Sequence, residues 1–253
     1  MKHCLIAIFC VLLCNTATAQ ELKLGGTEWP PYMGSRIEKN GIAAQIVTHI
    51  LSKAGYQTKF LFYPWSRTQL YVKTKALDGL GIAWFTKERA KTMVYSKPYI
   101  NTAIVLVKRK ADPFVYSNIQ DLEGKTMGVI LGYGYLKKIE SDKIIKEFVA
   151  SFRQNLMKLV NNRIDLTIEE KLNAQTIMAT MPPEIQAQLT IIEKPFEVKP
   201  LHITLSKSMS NHTDIIASFN RELAKMLEDG SYETLLNSFT FPPLHCCNKN
   251  RYE

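Results

Sequence analysis

The feature that most constrains the fold is a regular alternation of short apolar runs with segments of helical periodicity, which begins near residue 20. Strands are predicted at 22–26, 60–63 and 78–83. Helices are predicted at 42–54 and over a segment that Ser66 caps and that runs to 76. Strands that alternate with helices predict parallel sheet with helices on both faces. The pattern therefore indicates an α/β fold.

A second series of the same kind begins near residue 111. It comprises predicted strands at 126–130, 164–168 and 189–192, a helix around Leu136 and Ile139, helices at 156–161 and 171–180, and an amphipathic helix over 215–227. Apolar residues at helical spacing mark one buried face of the last helix, and Gly230 ends it. The chain thus contains two α/β units.

Two extended segments, about 101–110 and 194–205, separate these units. If the chain leaves the first unit along one and returns along the other, two lobes are joined by two strands, with a hinge and a cleft between them. The expected division is a discontinuous first lobe, 20–108 plus 198–253, and a second lobe, 109–197.

Residues 1–19 are predicted to be a secretory signal peptide. Lys2 supplies the positive charge, 5–13 form the apolar region, and an A-x-A cleavage site ends at Ala19. The alternative is lipid attachment at Cys14, which the two large leucines before it disfavour. Cleavage after Ala19 predicts a periplasmic protein.

Charge and cysteine content exclude several functions. The chain has 32 Lys and Arg against 23 Asp and Glu, for a net charge of +9, but no run of five basic residues that would predict a nucleic-acid-binding arm. Outside the leader only Cys246 and Cys247 remain, and an adjacent pair lacks the further ligands of a tetrahedral metal site. They could form a disulfide or be two thiols in a tail. Neither a metal nor a cofactor is expected.

Several short motifs occur in a characteristic order. They are LGGTEWPPY at 24–32, KALDG at 75–79, TKER at 86–89, VYSKPY at 94–99, DLEGK at 121–125 and NRID at 162–165. With this order and spacing, the chain resembles the periplasmic solute-binding proteins of amino-acid ABC transporters, family 3, over nearly all of 20–240. The resemblance implies a two-lobed periplasmic-binding-protein clamp of type II that closes on a small molecule.

The resemblance also implies which charged residues bind the ligand. Arg89 stands where the family arginine grips the ligand carboxylate, and a guanidinium suits this because it forms two parallel charge-assisted hydrogen bonds. Thr86 is expected to cap a helix that follows. Glu170, with Glu169 as the fallback, stands where an acidic residue pairs with the ligand amino group. The alternatives are a surface arginine and a glutamate stabilised at a helix start.

Aromatic residues complete the expected site. Trp29 matches the family position whose ring covers the ligand side chain, and stacking on such a ring suits an apolar or cationic group. Trp65 either lines the cleft or packs within the lobe, and Tyr32 is expected to pack in the core. Arg67 is either a second anion contact or a solvated helix residue.

Three positions depart from the amino-acid binders of the family. Ile82, Trp84 and Tyr133 replace small hydrogen-bonding residues with bulky ones. The sequence therefore predicts a smaller, more aromatic pocket, in which the backbone N–H groups of Trp84, Tyr133 and Gly134 still donate.

Three functions are compatible with these features. The first is a non-enzymatic monomer that binds a small carboxylated, amino-acid-like solute for a membrane permease. The second is a ligand sensor that acts in trans on a membrane receptor. The third is a dehydratase-like enzyme on the same fold, with Glu170 or Glu28 as its acid; no nucleophile or phosphate-binding motif supports it.

Overall fold

A computed structural model describes residues 19–239. The predicted leader, except for its last residue, and Cys246 and Cys247 lie outside this range, so the expectations about them remain predictions.

Ten β-strands run through the described residues. They are β1 (Glu21–Gly26), β2 (Gln57–Phe62), β3 (Gly79–Trp84), β4 (Met93–Tyr95), β5 (Ile100–Arg109), β6 (Thr126–Ile130), β7 (Ile145–Val149), β8 (Leu166–Glu170), β9 (Leu189–Ile191) and β10 (Glu197–Ser206). Seven α-helices accompany them within the same range. They are α1 (Ile42–Lys53), α2 (Trp65–Lys73), α3 (Phe152–Val160), α4 (Lys171–Ala179), α5 (Pro183–Gln186), α6 (His212–Glu228) and α7 (Ser231–Asn237).

The strands follow the order β2-β1-β3-β10-β5-β8-β6-β7, with β4 paired to β10 and β9 to β5. The pairs at both ends are parallel, as expected of βαβ units: β1 with β2 and β3, and β6 with β7 and β8. We call β1–β4 with α1, α2, α6 and α7 the first half, and β6–β8 with α3 and α4 the second half. The sheet is mixed, because β5 and β10 run antiparallel to their neighbours.

The two segments predicted to cross between the units are β5 and β10. They lie side by side, with Ile104 opposite Glu197 and Ile100 opposite Leu201. Both connections between the halves therefore pass through one antiparallel pair of strands. A double connection of this kind lets two bodies rotate relative to each other with little change elsewhere.

Apolar burial holds each half together. The stripe on α6 that the sequence predicts, which includes Ile215, Phe219 and Leu223, is buried, and α6 packs beside α1. In the second half, Leu156 and Leu159 of α3 belong to a separate buried cluster beneath the sheet. Each fully buried side chain of this size contributes about 1.5–3 kcal/mol.

Several predicted boundaries are wrong. Helix α2 begins at Trp65 with Pro64 in the capping position, so Ser66 is not its cap. The expected helix around Leu136 is a short 3-10 turn. The strand predicted at 164–168 lies two residues later, so that β8 ends at Glu170. This shift places Glu169 and Glu170 inside the buried part of the sheet.

In the part of the chain that the structure describes, no helix combines the length and the apolar character needed to cross a membrane.

Candidate functional site

A small cavity lies where the two halves meet. Its volume is about 30 Å³, which holds one or two water molecules but not an amino acid. It is lined by Thr27, Trp29, Trp65, Ile82, Ala83, Trp84, Arg89, Tyr133, Gly134 and Leu201. All three tryptophans of the chain are among these residues. The cleft is therefore closed and filled by aromatic side chains.

The aromatic side chains pack in a defined arrangement. The ring of Trp29 stacks on that of Tyr32, with centroids 4.7 Å apart, and meets Trp84 edge-on at 5.5 Å. Tyr133, from the second half, approaches Trp84 edge-on at 5.7 Å and Trp65 at 6.2 Å. Edge-on and offset contacts at these distances are the favoured geometries of aromatic pairs. The bulky residues at positions 84 and 133 thus fill the space between the halves.

Arg89 is the buried cation of the site, with 6% of its surface exposed. Its guanidinium donates to Trp84 O at 2.5 Å and to Gln69 Oε1 at 3.3 Å, and lies over the Trp65 ring at 5.1 Å. No carboxylate within residues 19–239 forms an ion pair with it. A buried guanidinium held by neutral acceptors can still bind an anion, since a carbonyl or an amide does not neutralise its charge.

Thr86 positions Arg89. Its Oγ1 accepts a hydrogen bond from Arg89 N at 3.1 Å, as the capping prediction requires. The helix expected to follow is wrong, because the chain forms only a three-residue 3-10 turn, Arg89–Lys91, before it enters β4. The dipole of a full helix therefore does not assist anion binding here, and the charge of Arg89 does so alone.

Two adjacent carboxyl groups form the acidic part of the site in the second half. Glu169 and Glu170 are 0% and 2% exposed, at the junction of β8 and α4. Glu170 caps α4, with Oε2 accepting from Asn173 N at 2.8 Å. Glu169 Oε1 accepts from Glu170 N at 2.8 Å, and its Oε2 has no hydrogen-bond partner.

Burial raises the pKa of both carboxyls. It raises the pKa of Glu169 to about 8 and that of Glu170 to about 7, against hydrogen bonds from Trp29 and Asn173 that act in the opposite direction. The cause is the loss of hydration of the charged form. The nearby Tyr135 is also buried, and burial raises the pKa of its phenol well above the ordinary value. The carboxyl pair is therefore protonated over part of the neutral range in this closed form.

Hydrogen bonds between residues within 19–239 cross the cleft from one half to the other. Trp29 Nε1 donates to Glu169 Oε1 and Tyr32 OH to Glu170 Oε1, both at 3.1 Å. Trp65 Nε1 donates to Gly132 O at 2.9 Å. In the other direction, Asn173 Nδ2 donates to Pro30 O at 2.6 Å. These bonds and the aromatic contacts hold the cleft closed.

The structure brings together most of the residues singled out from the sequence. Arg89, Trp29, Trp65, Trp84 and Tyr133 line the cavity. Glu170 does not line it, but accepts a hydrogen bond from Tyr32, whose ring stacks on that of Trp29.

Two of the residues considered lie elsewhere. Glu28 is exposed and accepts hydrogen bonds from Ser35 N and Oγ, because the loop after β1 turns its side chain outward. Arg67 is exposed on α2. Neither lines the cavity.

Sequence reasoning missed Gln69, Tyr95 and Asn173. Tyr95 OH lies 3.4 Å from the Arg89 guanidinium, beside the Gln69 contact described above. Tyr95 lies in the VYSKPY motif at 94–99, but no motif contains Gln69 or Asn173, because the role of all three depends on which segments face each other in the fold. The one available signal was the position of Asn173 three residues after Glu170, the spacing of a helix cap and its partner.

Taken together, the fold and the site define a class of protein: a two-lobed α/β clamp of the periplasmic-binding-protein type, whose cleft carries a buried cation on one lobe and buried carboxyls on the other.

Comparison with known proteins identifies the family. The model of bacterial extracellular solute-binding proteins, family 3, matches residues 23–242, and the chain belongs to this family. A probable histidine-binding protein from Campylobacter jejuni is 23% identical over 229 residues, which cover 88% of this chain and 86% of that protein. A putative ABC transporter arginine-binding protein 2 from Escherichia coli is 24% identical over 61% of this chain and 62% of its own.

Solved structures confirm the fold. A mutant of ArgBP from T. maritima superimposes with a TM-score of 0.71 at 23% identity, over 86% of this chain and 94% of the other. The expected clamp architecture is thereby confirmed. Both relatives are named as binding proteins, which disfavours the dehydratase-like enzyme among the three functions considered.

Proposed function

We propose that the protein binds a small zwitterion of the amino-acid type in the cleft and delivers it to an ABC-type permease. The observation that carries the proposal is the separation of charge across the cleft. Arg89 is a buried cation with no carboxylate partner in the first half, and Glu170 is a buried carboxyl with no cation in the second. A ligand that carries a carboxylate and an ammonium would satisfy both, and buried charges require such partners.

Different residues bind each part of the ligand. Arg89 binds the ligand carboxylate through two charge-assisted hydrogen bonds. Thr86 holds Arg89 in place, and Arg89 gives up part of its contact with Gln69. Glu170 binds the ammonium in place of Tyr32. Trp29, Trp65, Trp84 and Tyr133 surround the remainder of the ligand.

The size of the cavity sets the mode of entry. A volume of about 30 Å³ cannot hold an amino acid, so the clamp must open and Trp84 and Tyr133 must move before the ligand fits. Cleft closure around the ligand then distinguishes the loaded from the empty protein, and a permease can select one of these states. Export to the periplasm, with cleavage after Ala19, and action as a monomer belong to the same proposal.

The names of the relatives support delivery to a transporter. The Escherichia coli relative is named as part of an ABC transporter, and both curated relatives are named for binding an amino acid. Sensing in trans remains the alternative, and it predicts ligand binding without any effect on uptake. Deletion of the gene distinguishes transport from sensing, because cells need a transport protein, but not a sensor, to accumulate the radiolabelled ligand.

The binding test compares matched ligands and matched variants. Ligand-free protein is screened by thermal shift with the amino acids, then with the deaminated and esterified forms of any hit. A ligand at 100 times its Kd stabilises the fold by about 2.7 kcal/mol. The parent zwitterion should bind, and the forms that lack either charge should not.

Arg89→Ala should reduce affinity by at least about 30-fold, since loss of one partner of a buried charge pair costs about 2–5 kcal/mol. Arg67→Ala is the matched control, because it removes an exposed arginine from the same half. Equal affinity in wild type and Arg89→Ala would contradict the assignment of the carboxylate contact.

A further inference from the structure

The closed cleft is held by its own binding residues. In the first half, the stacked pair Trp29 and Tyr32 provides two hydrogen-bond donors. In the second half, Glu169 and Glu170 provide the acceptors, each at 3.1 Å. The position that a ligand ammonium would take at Glu170 is occupied by a tyrosine hydroxyl of the same chain. In this arrangement, side chains of the protein itself make the hydrogen bonds that close the cleft.

Among residues 19–239 no cation is paired with either carboxyl, and the side chain of the adjacent Lys171 pairs with Glu193 instead. From the turn after β1 the carboxyls are faced by Trp29 and Tyr32, and from α4 Glu170 accepts from the backbone N–H groups of Lys171, Leu172 and Asn173. On β5, the residues opposite Glu169 and Glu170 are the apolar Val105 and Ile104.

The titratable groups nearest to Glu169 are Glu170, Tyr133 and Tyr135. A negative charge on Glu169 is opposed by its carboxyl neighbour, and Oε2 of Glu169 has no hydrogen-bond donor to stabilise that charge. Within residues 19–239 neither carboxyl is in an ion pair. The closed form thus favours neutral, protonated carboxyls.

Opening of the cleft reverses this preference. Separation of the halves removes the bonds to Trp29 and Tyr32 and hydrates both carboxyls, which restores a pKa near the ordinary value of 4.5. Because the closed form has the higher pKa, closing takes up protons. The ratio of closed to open protein is greatest below pH 4.5 and falls as the pH rises through the closed-form values of about 7 and about 8.

We propose that Glu169, Glu170, Trp29 and Tyr32 form a proton-binding latch that closes the empty clamp at low pH and releases it as the pH rises. We call these four residues the carboxyl latch. In the pH range in which the open form is ionised and the closed form is protonated, each carboxyl lowers the ratio of closed to open protein by about tenfold per pH unit.

The latch also couples the pH to ligand affinity, and this part rests on the proposed function. A ligand ammonium binds ionised Glu170, so binding at low pH has to displace both Tyr32 and a proton. Ligand binding therefore releases protons, and affinity for a zwitterion rises as the pH rises from about 5 to about 8. Glu169, which binds no ligand atom in this scheme, is the positioning residue that keeps the empty cleft closed.

The test uses ligand-free protein, refolded from denaturant to remove bound solute. Small-angle X-ray scattering gives the radius of gyration at about pH 4 and about pH 9, below the open-form pKa and above both closed-form values. Tryptophan emission is the second readout, because all three tryptophans line the cavity. We expect a compact protein with blue-shifted emission at the lower pH, and a larger radius with red-shifted emission at the higher pH.

Three variants make the test specific. Glu169→Gln removes one of the two ionisations, so it should open less than wild type at the higher pH. Trp29→Phe keeps a ring but loses the Nε1 donor, so its transition should move to lower pH. Glu147→Gln is the matched control on β7, where Glu147 pairs with Lys158 at 2.6 Å, and its pH response should equal that of wild type.

The proposal is overturned if the radius of gyration of wild type is the same at both pH values. It is also overturned if Glu169→Gln opens as much as wild type does. Circular dichroism verifies that each variant is folded. If Glu169→Gln does not fold, the shift in the transition of Trp29→Phe tests the proposal instead. No ligand enters this experiment. Failure to find a ligand would therefore count against the proposed function and leave the latch intact.

Discussion

The two faces of the cleft differ in how their site residues are placed. On the first half, Trp29 and Arg89 follow β1 and β3 on irregular segments, and their partners are mostly neutral groups. On the second half, Glu169 and Glu170 end β8 and begin α4, so their backbone is fixed by a sheet and a helix together. The aromatic and cationic face therefore combines loop and turn segments with the ends of β3 and α2, which supply Trp84 and Trp65, while the acidic face is built from regular structure alone.

This difference indicates which face adapts to a ligand. Loop segments absorb changes in backbone angle more easily than a strand–helix junction, whose hydrogen bonds are already made. We therefore expect the aromatic side chains to move when the cleft opens, while the carboxyls keep their position and change only their protonation. The following predictions test this comparison.

The largest effect is expected from Trp84, the central aromatic residue of the first-half face. Trp84→Ala removes its contacts with Trp29 and Tyr133 and the hydrogen bond from Nε1 to Thr102 Oγ1 at 3.0 Å. The free energy of unfolding should fall by about 3–5 kcal/mol, as for other buried tryptophans. Urea denaturation measures the change.

Its neighbour provides the control. Phe85 is 49% exposed, and Phe85→Ala should therefore alter the free energy of unfolding far less. Equal losses for the two substitutions would show that the aromatic face is not a packed unit.

Glu170 and Glu169 should differ in their effect on ligand affinity. Glu170→Gln removes the charge that binds the ammonium, and a hydrogen bond to a charged group contributes about 1.5–3 kcal/mol, so affinity should fall about 10- to 100-fold. Glu169→Gln keeps Glu170 and should leave affinity within a few-fold at high pH. Isothermal titration calorimetry with the same zwitterion compares the two. A larger loss for Glu169→Gln would exchange the roles assigned to the two carboxyls.

The smallest effect concerns a single bond between the two faces. Asn173→Ala removes the hydrogen bond from Nδ2 to Pro30 O and should destabilise the closed form by about 1 kcal/mol. The radius of gyration of the ligand-free protein at low pH should rise accordingly. Asn161→Ala is the matched control, because its Nδ2 donates to Met157 O within the second half. If both variants leave the radius unchanged, the bond to Pro30 does not contribute to closure.

Much of the fold was predictable because it depends on local periodicity. The helices at α1, α4 and α6 and the strands at β3 and β6 follow from apolar spacing and from glycine or capping residues at their ends. The extended crossings were recognisable as β5 and β10. The antiparallel pairing of β5 with β10 could not be predicted, since no local pattern in the sequence indicates which strands are neighbours in the sheet.

Part of the site was also predictable. Trp29 and Arg89 stand in recognisable motifs, Trp84 and Tyr133 were singled out as departures from the family pattern, and the structure places all four on one cavity. Glu28 belongs to the same motif as Trp29, yet its side chain turns away to Ser35. The motifs indicate which segments of the chain lie near the cleft, but they do not indicate which way each side chain points.

By itself, the sequence determined the order of elements, the family and the charged residues available to a ligand. Only the tertiary structure decided that Tyr32 contacts Glu170 and Trp29 contacts Glu169, across separations of more than a hundred residues. The physical reason is that periodicity and capping act over a few residues, whereas burial is a property of the assembled fold. Two glutamates at the end of a strand are ordinary surface acids until the opposite half removes their water and raises their pKa.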